Sequence, residues 1–311
     1  MHIVVFGTGG VGGYFGGRLA QAGERVTFIA RGDHLQAMLN NGLTIESIKG
    51  DFTVQPVTVT DDTSQVADVD VVLVCVKAWQ VPKAGKAIIP LLGPDTSVVP
   101  LENGLEAPSQ LSEILGHEHV LGGVCGIFSH IASLGHIRHS GAEPWIKFGE
   151  LDNHTSTRAQ SLLHAFQHAG VTVEIPADIN LAMWQKFFFV SAFSGIGAVT
   201  RVPVGVFRSQ PGTRQMLEGA LRECYSIALA QGINLSSDSI SHTMAAIDRY
   251  SPQNISSLQR DILAGHPSEL EAQIGLVVRM GMMLNIPTPI YSFIYYSLLP
   301  QEILARSESK P

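Results

Sequence analysis

The sequence contains few charged residues, few cysteines and no concentrated basic segment. Charged residues make up 15% of the 311 positions, and the formal net charge is −7. Proteins that bind nucleic acid usually carry a basic patch, so this composition argues against a nucleic-acid partner. The three cysteines are too widely spaced for a disulfide framework or a metal-ligand motif, and we expect no bound metal. The composition as a whole is typical of a cytoplasmic enzyme.

The sequence also lacks an uninterrupted apolar run long enough to cross a bilayer. Residues 280–301 carry no charge, but Asn285, Pro287, Pro289 and Pro300 interrupt them. A spanning helix needs about 20 mostly apolar residues, so we expect no membrane partner and predict a break between two helices here. The apolar N-terminus has no basic leader, and we expect it to form the first strand rather than a signal peptide.

Length and patterning predict two domains. The 311 residues exceed the usual size of a single core, and 45% of them are hydrophobic. Strand and helix patterns alternate as far as Pro176, and almost entirely helical runs follow from Asp178. We predict an α/β fold with a doubly wound, Rossmann-type domain over residues 1–176. An all-α C-terminal domain is predicted over residues 177–311.

The most informative motif follows the first apolar run, residues 2–6. A G-x-G-x-x-G turn between a strand and a helix is typical of a dinucleotide-binding fold, in which the helix N-terminus faces the pyrophosphate. Here the turn consists of Gly7, Thr8, Gly9, Gly10, Val11 and Gly12. The first glycine allows the tight turn, the second the approach of the pyrophosphate, and the last close packing of helix on strand. The alternative is a glycine-rich turn with a purely structural role.

The end of the next strand bears on which dinucleotide binds. Residues 25–30 form an apolar, β-prone run, and Arg31 follows them. Many NAD-binding folds place an acidic residue at this point for the ribose 2′-hydroxyl, whereas an arginine can pair with the 2′-phosphate of NADP. We predict NADPH as the cofactor and Arg31 as its phosphate anchor. Alternatively, Asp33 could contact the ribose. A further alternative is that Arg31 is an ordinary solvated charge in a loop.

Two polar residues follow two other apolar runs that are predicted strands. Lys77 follows residues 70–76, and Asn103 comes two positions after residues 97–101. Ligands bind at the carboxyl ends of the strands in an open α/β sheet, so both residues are predicted to lie beside the cofactor. The lysine could hold an anionic group and the asparagine a ribose or an amide. Each could instead cap the helix that follows it.

The helical half contains a lysine in unusually apolar surroundings. Lys186 lies within residues 183–190, Met-Trp-Gln-Lys-Phe-Phe-Phe-Val. Its ammonium needs solvent, a cleft or a partner, because burial of an unpaired charge is costly. It could also reach the surface along a buried helix. Asn254 and Ser257 belong to a later polar cluster that could bind a small carboxylate or cap a helix.

In this order, the motifs resemble the ketopantoate reductase (2-dehydropantoate 2-reductase) family over essentially the full chain. The resemblance rests on the glycine motif, on Arg31, and on residues 77–80 (KAWQ), 102–104 (ENG), 184–186 (WQK), 254–261 (NISSLQRD), 267–271 (PSELE), 277–279 (VVR) and 285–289 (NIPTP). It implies a 2-keto acid substrate and NADPH as the cofactor. It also implies conversion of 2-dehydropantoate to pantoate in pantothenate biosynthesis, by a monomer or homodimer.

The resemblance also implies roles for single residues. Lys186 matches the catalytic lysine of the family, and Glu269 matches the acidic residue that works beside it. Ser257, with Asn254 near it, matches the site for the substrate carboxylate. The residues expected to contact cofactor and substrate are Lys77 and Asn103, and Arg31 matches the 2′-phosphate anchor.

The chain departs from the family pattern at two positions. The family usually has asparagines four and eight residues after the catalytic lysine, where this chain has Val190 and Ser194. Valine offers no hydrogen bond, while Ser194 stays a candidate substrate contact. A related 2-keto acid reductase with another substrate therefore remains an alternative. A non-catalytic NADP(H) sensor would need neither Lys186 nor Glu269, and a methyltransferase usually has G-x-G-x-G, where this chain has Val11.

Overall fold

The structure of the chain is a computed structural model that describes residues 1–308, and it contains two compact units. The first unit consists of residues 1–102 and 106–182. The second consists of residues 103–105 together with the chain from Met183 onwards. The sequence predicts a junction at Pro176, and the structure divides the units slightly later, after Ala182. It also groups a short internal loop, 103–105, with the second unit.

The first unit combines two sheets with five α-helices. Its strands are β1 (His2–Phe6), β2 (Arg25–Ile29), β3 (Leu43–Ser47), β4 (Phe52–Val54), β5 (Thr58–Thr60), β6 (Val71–Val74), β7 (Ser97–Pro100), β8 (Leu121–Ser133), β9 (His136–Glu150) and β10 (Thr172–Glu174). Its helices are α1 (Gly10–Gln21), α2 (Gly32–Asn41), α3 (Val81–Ile88), α4 (Ala107–Leu115) and α5 (Thr157–His168).

The sheet that contains the glycine turn of residues 7–12 is parallel. Its strand order is β5-β2-β1-β6-β7, and every neighbouring pair is parallel. Strands β1 and β6 are buried along their whole length, as expected for strands that helices cover on both faces. Counted within this sheet, the order is 3-2-1-4-5, the order of a Rossmann fold. The predicted α/β fold class is therefore confirmed.

A second sheet is not indicated by the sequence patterns. It has the order β10-β9-β3-β4, and β8 pairs antiparallel with β9. The sequence predicts two short strands at 135–139 and 145–149, separated by a Gly- and Pro-containing stretch. The structure instead includes both segments in one strand, β9, which pairs with β8 on both sides of a register shift at Gly126–Phe128. The Gly- and Pro-containing residues 141–144 lie opposite this shift and form an irregularity within the strand rather than a turn between two strands.

The second unit is helical, as predicted. Its helices are α6, which begins in the first unit (Ile179–Thr200), α7 (Val204–Phe207), α8 (Pro211–Ala230), α9 (Ser239–Arg249), α10 (Ser257–Leu263), α11 (Leu276–Leu284) and α12 (Pro289–Glu308), with a π turn at Glu271–Gly275. Helix α6 is apolar around its whole circumference and is therefore buried on most sides. Among the described residues, no helix combines the length and the apolar character needed to cross a membrane.

The predicted break before the last helix is confirmed. Helix α11 ends at Leu284, and Asn285 adopts a left-handed conformation with φ of 53°. Asparagine tolerates this conformation better than most residues, which makes it an effective helix terminator. Helix α12 then begins at Pro289, a position where proline loses no helical hydrogen bond.

Candidate active site

The glycine turn after β1 has the geometry that its motif predicts. Gly7 has φ of +100°, and a Cβ atom there would lie 2.9 Å from the carbonyl oxygen of Cys75. A Cβ atom at Gly12 would overlap the carbonyl oxygen of Gly7, so only glycine lets α1 approach the strand this closely. At Gly9, by contrast, a Cβ atom would have no neighbouring atom within 4 Å, so the space above the turn is open.

The N-terminus of α1 has the features of a phosphate cradle. Gly9 is its N-cap and supplies no side-chain cap, and the first turn contains no acidic residue. The Thr8 hydroxyl faces inward and donates to the Ile29 carbonyl at 3.1 Å. Gly10 packs against β8, where a Cβ atom would lie 2.6 Å from the Ser129 carbonyl oxygen. With the adjacent Val11, this turn offers backbone N–H groups, a positive helix dipole and room, so a pyrophosphate fits here.

Arg31 lies at the end of β2, as predicted, and is the N-cap of α2. It is exposed, and its guanidinium makes no hydrogen bond or ion pair with any residue of the described chain. Asp33, in the first turn of α2, is also exposed. Both residues are therefore placed near the carboxyl end of β2, and only Arg31 carries the charge that a 2′-phosphate requires.

Lys77 follows β6 and is partly buried. Its backbone N–H donates to Oε1 of Gln80 at 3.2 Å, which fixes the short helical turn after the strand. The ammonium nitrogen lies 5.9 Å from the centroid of the Trp79 ring, at the outer limit of a cation–π contact. The KAWQ segment thus holds a positive charge at the carboxyl end of a central strand.

In the second unit, the clearest contact among the predicted residues joins Asn103 and Glu269. Nδ2 of Asn103 lies 3.0 Å from Oε2 of Glu269, whose side chain is 4% exposed. The loop that carries the asparagine packs closely, because a Cβ atom at Gly104 would lie 3.2 Å from the Ala272 carbonyl oxygen. A carboxylate this deeply buried needs hydrogen-bond donors, and the amide of Asn103 supplies one.

The residue before Glu269 is fixed by the last helix. The backbone N–H of Ser268 donates to both carboxylate oxygens of Glu302, at 3.0 and 3.1 Å. Arg306 pairs with Glu302 at 2.7 Å and donates to the Ser268 carbonyl oxygen at 3.0 Å. The Glu302–Arg306 pair thus holds both the N–H and the carbonyl group of Ser268, so the position of Glu269 is set by α12 as well as by the helical turn that follows it.

Lys186 lies in the first half of α6 and is partly buried. Its ammonium makes no hydrogen bond or ion pair with any described residue, and none joins it to Glu269. Val190, one turn further along, is also partly buried, as is appropriate for one helix face. The Lys186 ammonium is therefore available to a ligand.

The remaining predicted substrate residues lie around α10 and α6. Ser257 is the first residue of α10, while its neighbour Ser256 forms the cap by accepting from the Gln259 N–H at 3.0 Å. The Asn254 backbone carbonyl accepts from Val204 at 3.0 Å. Ser194 is 1% exposed, and its hydroxyl has no hydrogen-bond partner within residues 1–308. The capping role foreseen as an alternative for this cluster thus belongs to Ser256.

One further polar residue adjoins Glu269 and is not part of the motifs. Nε2 of Gln273 lies 3.2 Å from Oε2 of Glu269, and the glutamine is fully buried. The sequence signal that could have indicated it is a glutamine four residues after Glu269 within an apolar helical stretch.

The parallel sheet with its glycine turn, followed by a helical unit, is the architecture of the two-domain oxidoreductases that bind a nicotinamide dinucleotide. The particular family follows from comparison with known families. Residues 3–153 match the family described as ketopantoate reductase PanE/ApbA, and residues 178–302 match its C-terminal domain. The chain belongs to this family of oxidoreductases, for which NADP dependence is a general property.

Individual relatives agree with this assignment. The chain is 29% identical over 299 residues to a 2-dehydropantoate 2-reductase from Nostoc sp., covering 94% of this chain and 93% of that protein. A crystal structure of a PanE/ApbA family ketopantoate reductase from Ralstonia eutropha is 31% identical, with a TM-score of 0.89 over 98% of this chain and 100% of that one. D-mandelate dehydrogenase in complex with NADH and anilino(oxo)acetate shares the fold, with a TM-score of 0.90 at 19% identity over 98% of this chain and 99% of that one.

Proposed function

We propose that the protein reduces the ketone of a 2-keto acid to a 2-hydroxy acid with NADPH, and that 2-dehydropantoate, which gives pantoate, is the first substrate to test. The observation that carries this proposal is the hydrogen bond between Asn103 and Glu269 in the unit that also contains Lys186. A buried carboxylate held by an amide, in a chain similar to 2-dehydropantoate 2-reductases, supports an acid–base site.

The cofactor residues divide into two groups. The backbone of residues 7–12 would bind the pyrophosphate at the N-terminus of α1, and Arg31 would pair with the 2′-phosphate. Lys77 would hold a further anionic group, and Asn103 a ribose or amide. When bound, the cofactor supplies the hydride that the ketone carbon accepts.

The chain's own residues would handle the substrate and the proton. Ser257 and Asn254 would hold the substrate carboxylate through hydroxyl and amide donors. Lys186 would donate a proton to the oxygen that becomes the hydroxyl, and so stabilise the negative charge that develops there. Glu269 would orient the donor group. The product is a 2-hydroxy acid, and Lys186 would regain its proton from solvent.

A second candidate is a 2-keto acid other than 2-dehydropantoate. The specific observation in its favour is Val190, which lies one turn beyond Lys186 on α6 and cannot form the hydrogen bond expected of an asparagine. Ser194, a further turn along, has a buried hydroxyl that could replace only part of that function. Reaction class and substrate identity are thus separate parts of the proposal.

The test is a panel of 2-keto acids that includes 2-dehydropantoate, followed by the loss of NADPH absorbance. A true substrate should show kcat/KM of about 10⁴ M⁻¹s⁻¹ or more. Binding of NADPH without turnover of any panel member would favour the sensor alternative. We expect the enzyme to act in the cytoplasm, in pantothenate biosynthesis if 2-dehydropantoate is preferred, and as a monomer or homodimer.

A further inference from the structure

Gln273 is a fully buried polar residue in an apolar part of the second unit. Its neighbours along the chain include Leu270 and Ile274, which are also fully buried. Nε2 of Gln273 lies 3.2 Å from Oε2 of Glu269. Because an ionised carboxylate only accepts hydrogen bonds, the glutamine must present its NH₂ group, and this fixes which way the amide points.

This orientation is unfavourable for the rest of the side chain. The amide oxygen Oε1 of Gln273 is buried and has no hydrogen-bond partner within the described part of the chain. A buried acceptor without a partner costs about 1–3 kcal/mol, and a leucine of similar size would avoid that cost. For packing alone, glutamine is therefore less favourable than leucine at this position. What the glutamine provides and leucine cannot is the hydrogen bond to Glu269.

The backbone brings the two side chains together. The N–H of Gln273 donates to the Glu269 carbonyl oxygen at 3.0 Å, so the two residues are one α-helical turn apart and share a face. The chain then widens into the π turn at Glu271–Gly275, in which the Leu276 N–H reaches back to the Glu271 carbonyl. Such π turns are rare and occur frequently at functional sites.

Two amides converge on one carboxylate oxygen. Asn103 reaches Oε2 of Glu269 from the loop at 103–105, at 3.0 Å, and Gln273 reaches the same atom from the helix. Two donors on one oxygen restrict the rotation of the carboxylate more than either does alone. Building on the function proposed above, we propose that Gln273 is a positioning residue that holds Glu269 in its working orientation.

The chain offers a closely matched control in Gln259. This glutamine is 1% exposed, donates Nε2 to an oxygen at 3.0 Å and also has a buried Oε1 without a partner among the described residues. Its acceptor, however, is the backbone carbonyl of Val202 rather than a carboxylate. Leucine at either position removes one buried donor and one unpaired acceptor, so the two variants differ in whether they affect Glu269.

The first measurement compares kcat, KM and NADPH affinity in the full-length protein. Gln273→Leu should lower kcat about tenfold, since it removes one of the two amides that fix the carboxylate while Asn103 retains the other. NADPH affinity and the KM of the keto acid should stay within about twofold. Gln259→Leu should keep kcat within the same twofold margin. Equal effects of the two variants on kcat would overturn the positioning role.

A double-mutant cycle separates positioning from packing. In a Glu269→Ala background, Gln273→Leu should cause no further fall in kcat, because the group that it positions is absent. A further tenfold fall there would overturn the proposal. The wild type, Gln273→Leu, Glu269→Ala and the double variant are also unfolded by urea without substrate. The shift of the unfolding midpoint in the double variant should differ from the sum of the shifts in the two single variants. If the wild type reduces no 2-keto acid, the proposed function fails, and the urea measurement still tests Gln273. If the midpoint shifts of the two single variants add up to that of the double variant, the role of Gln273 is overturned.

Discussion

Nδ2 of Asn103 donates a hydrogen bond to Oε2 of Glu269 at 3.0 Å, although 166 positions separate the two residues in the sequence. The bond lies within the second unit, because residues 103–105 belong to it. It gives the buried carboxylate a neutral donor, which holds the group without cancelling its negative charge.

Replacement of Asn103 by aspartate should impair turnover. Asn103→Asp removes the donor and brings a second negative charge against Glu269, and we expect kcat/KM to fall at least about tenfold. Steady-state kinetics and thermal unfolding test this. Asn180→Asp is the control, since Asn180 donates to the Leu151 carbonyl at 3.0 Å and is part of no candidate site. A similar loss of activity in both variants would argue against a specific role for Asn103.

Arg31 should set the preference between the two dinucleotides. Arg31→Ala should weaken NADPH binding about 10- to 100-fold, because hydrogen bonds to charged groups contribute about 1.5–3 kcal/mol, and should leave NADH binding nearly unchanged. Isothermal titration with both cofactors measures the difference. Arg25→Ala, an exposed arginine at the start of the same strand, is the control. Equal losses for both cofactors, or a wild-type preference for NADH, would favour Asp33 as the determinant.

Lys186 should contribute to the rate and not to cofactor binding. Lys186→Ala should reduce kcat about 10²- to 10⁴-fold, the usual contribution of a positioned general acid, with NADPH affinity nearly intact. Single-turnover oxidation of NADPH separates the two quantities. The exposed Lys86 of α3 provides a control in Lys86→Ala. Normal kcat in Lys186→Ala would remove the lysine from the mechanism.

Val190 should report on the identity of the substrate. If 2-dehydropantoate is the natural substrate class, Val190→Asn should raise its kcat/KM by about two- to tenfold, which corresponds to one hydrogen bond of about 0.5–1.5 kcal/mol. The measurement is the same panel of 2-keto acids for wild type and variant. High wild-type activity with 2-dehydropantoate, unimproved by the substitution, would mean that Val190 does not mark a changed substrate.

A partly buried ion pair of the first unit should make stability depend on pH. Arg158 contacts both carboxylate oxygens of Glu150, at 2.7 and 2.6 Å, and also the Glu118 carbonyl. Burial acts to raise the pKa of Glu150, but hydrogen bonds from Arg158 and Ser156 and the charge of Arg158 outweigh it, so the pKa lies below 4.5. The pair therefore stabilises the fold fully above that value and loses its contribution as the pH falls through the lowered pKa.

Arg158→Leu tests this dependence. At neutral pH the variant should lose about 2–3 kcal/mol of stability, less than for a fully buried pair because Arg158 is partly exposed. The difference in Tm between wild type and variant should narrow as the pH drops below 4.5. Arg222→Leu, which removes an exposed pair with Glu218 on α8, should change Tm little at any pH. A constant gap across the pH range would contradict the linkage.

Local sequence signals predict where the glycine turn and Arg31 lie in the fold. The glycines at 7, 9 and 12 act through contacts with their own strand and helix, and Arg31 follows its strand directly, so spacing alone locates them. The long β8–β9 hairpin is not predictable in the same way, because residues 141–144 contain glycine and proline and yet lie inside β9, opposite a register shift. The roles of Lys186 and Ser257 depend on the family resemblance and stay predictions.

Other parts of the site depend on long-range contacts that periodicity cannot show. Nothing in the segment Glu102-Asn103-Gly104 indicates that its asparagine belongs to a helical unit formed mostly by the chain after Met183. The buried pair of Glu302 with Ser268 likewise joins elements that are far apart in sequence. Gln273 lies four residues after Glu269, but this spacing alone does not show whether the two side chains meet in the interior or on an exposed helix face; in the structure Gln273 contacts the buried carboxylate.

The membership of residues 103–105 in the second unit limits how the two halves can be exchanged between related enzymes. A chimera joined near Ala182 would take Asn103 from one parent and Glu269 from the other. Recombination at this boundary would then preserve each core but draw two contacting residues from different parents. A chimera that takes both the 103–105 loop and the helical half from the same parent should therefore retain more activity than one joined only near Ala182.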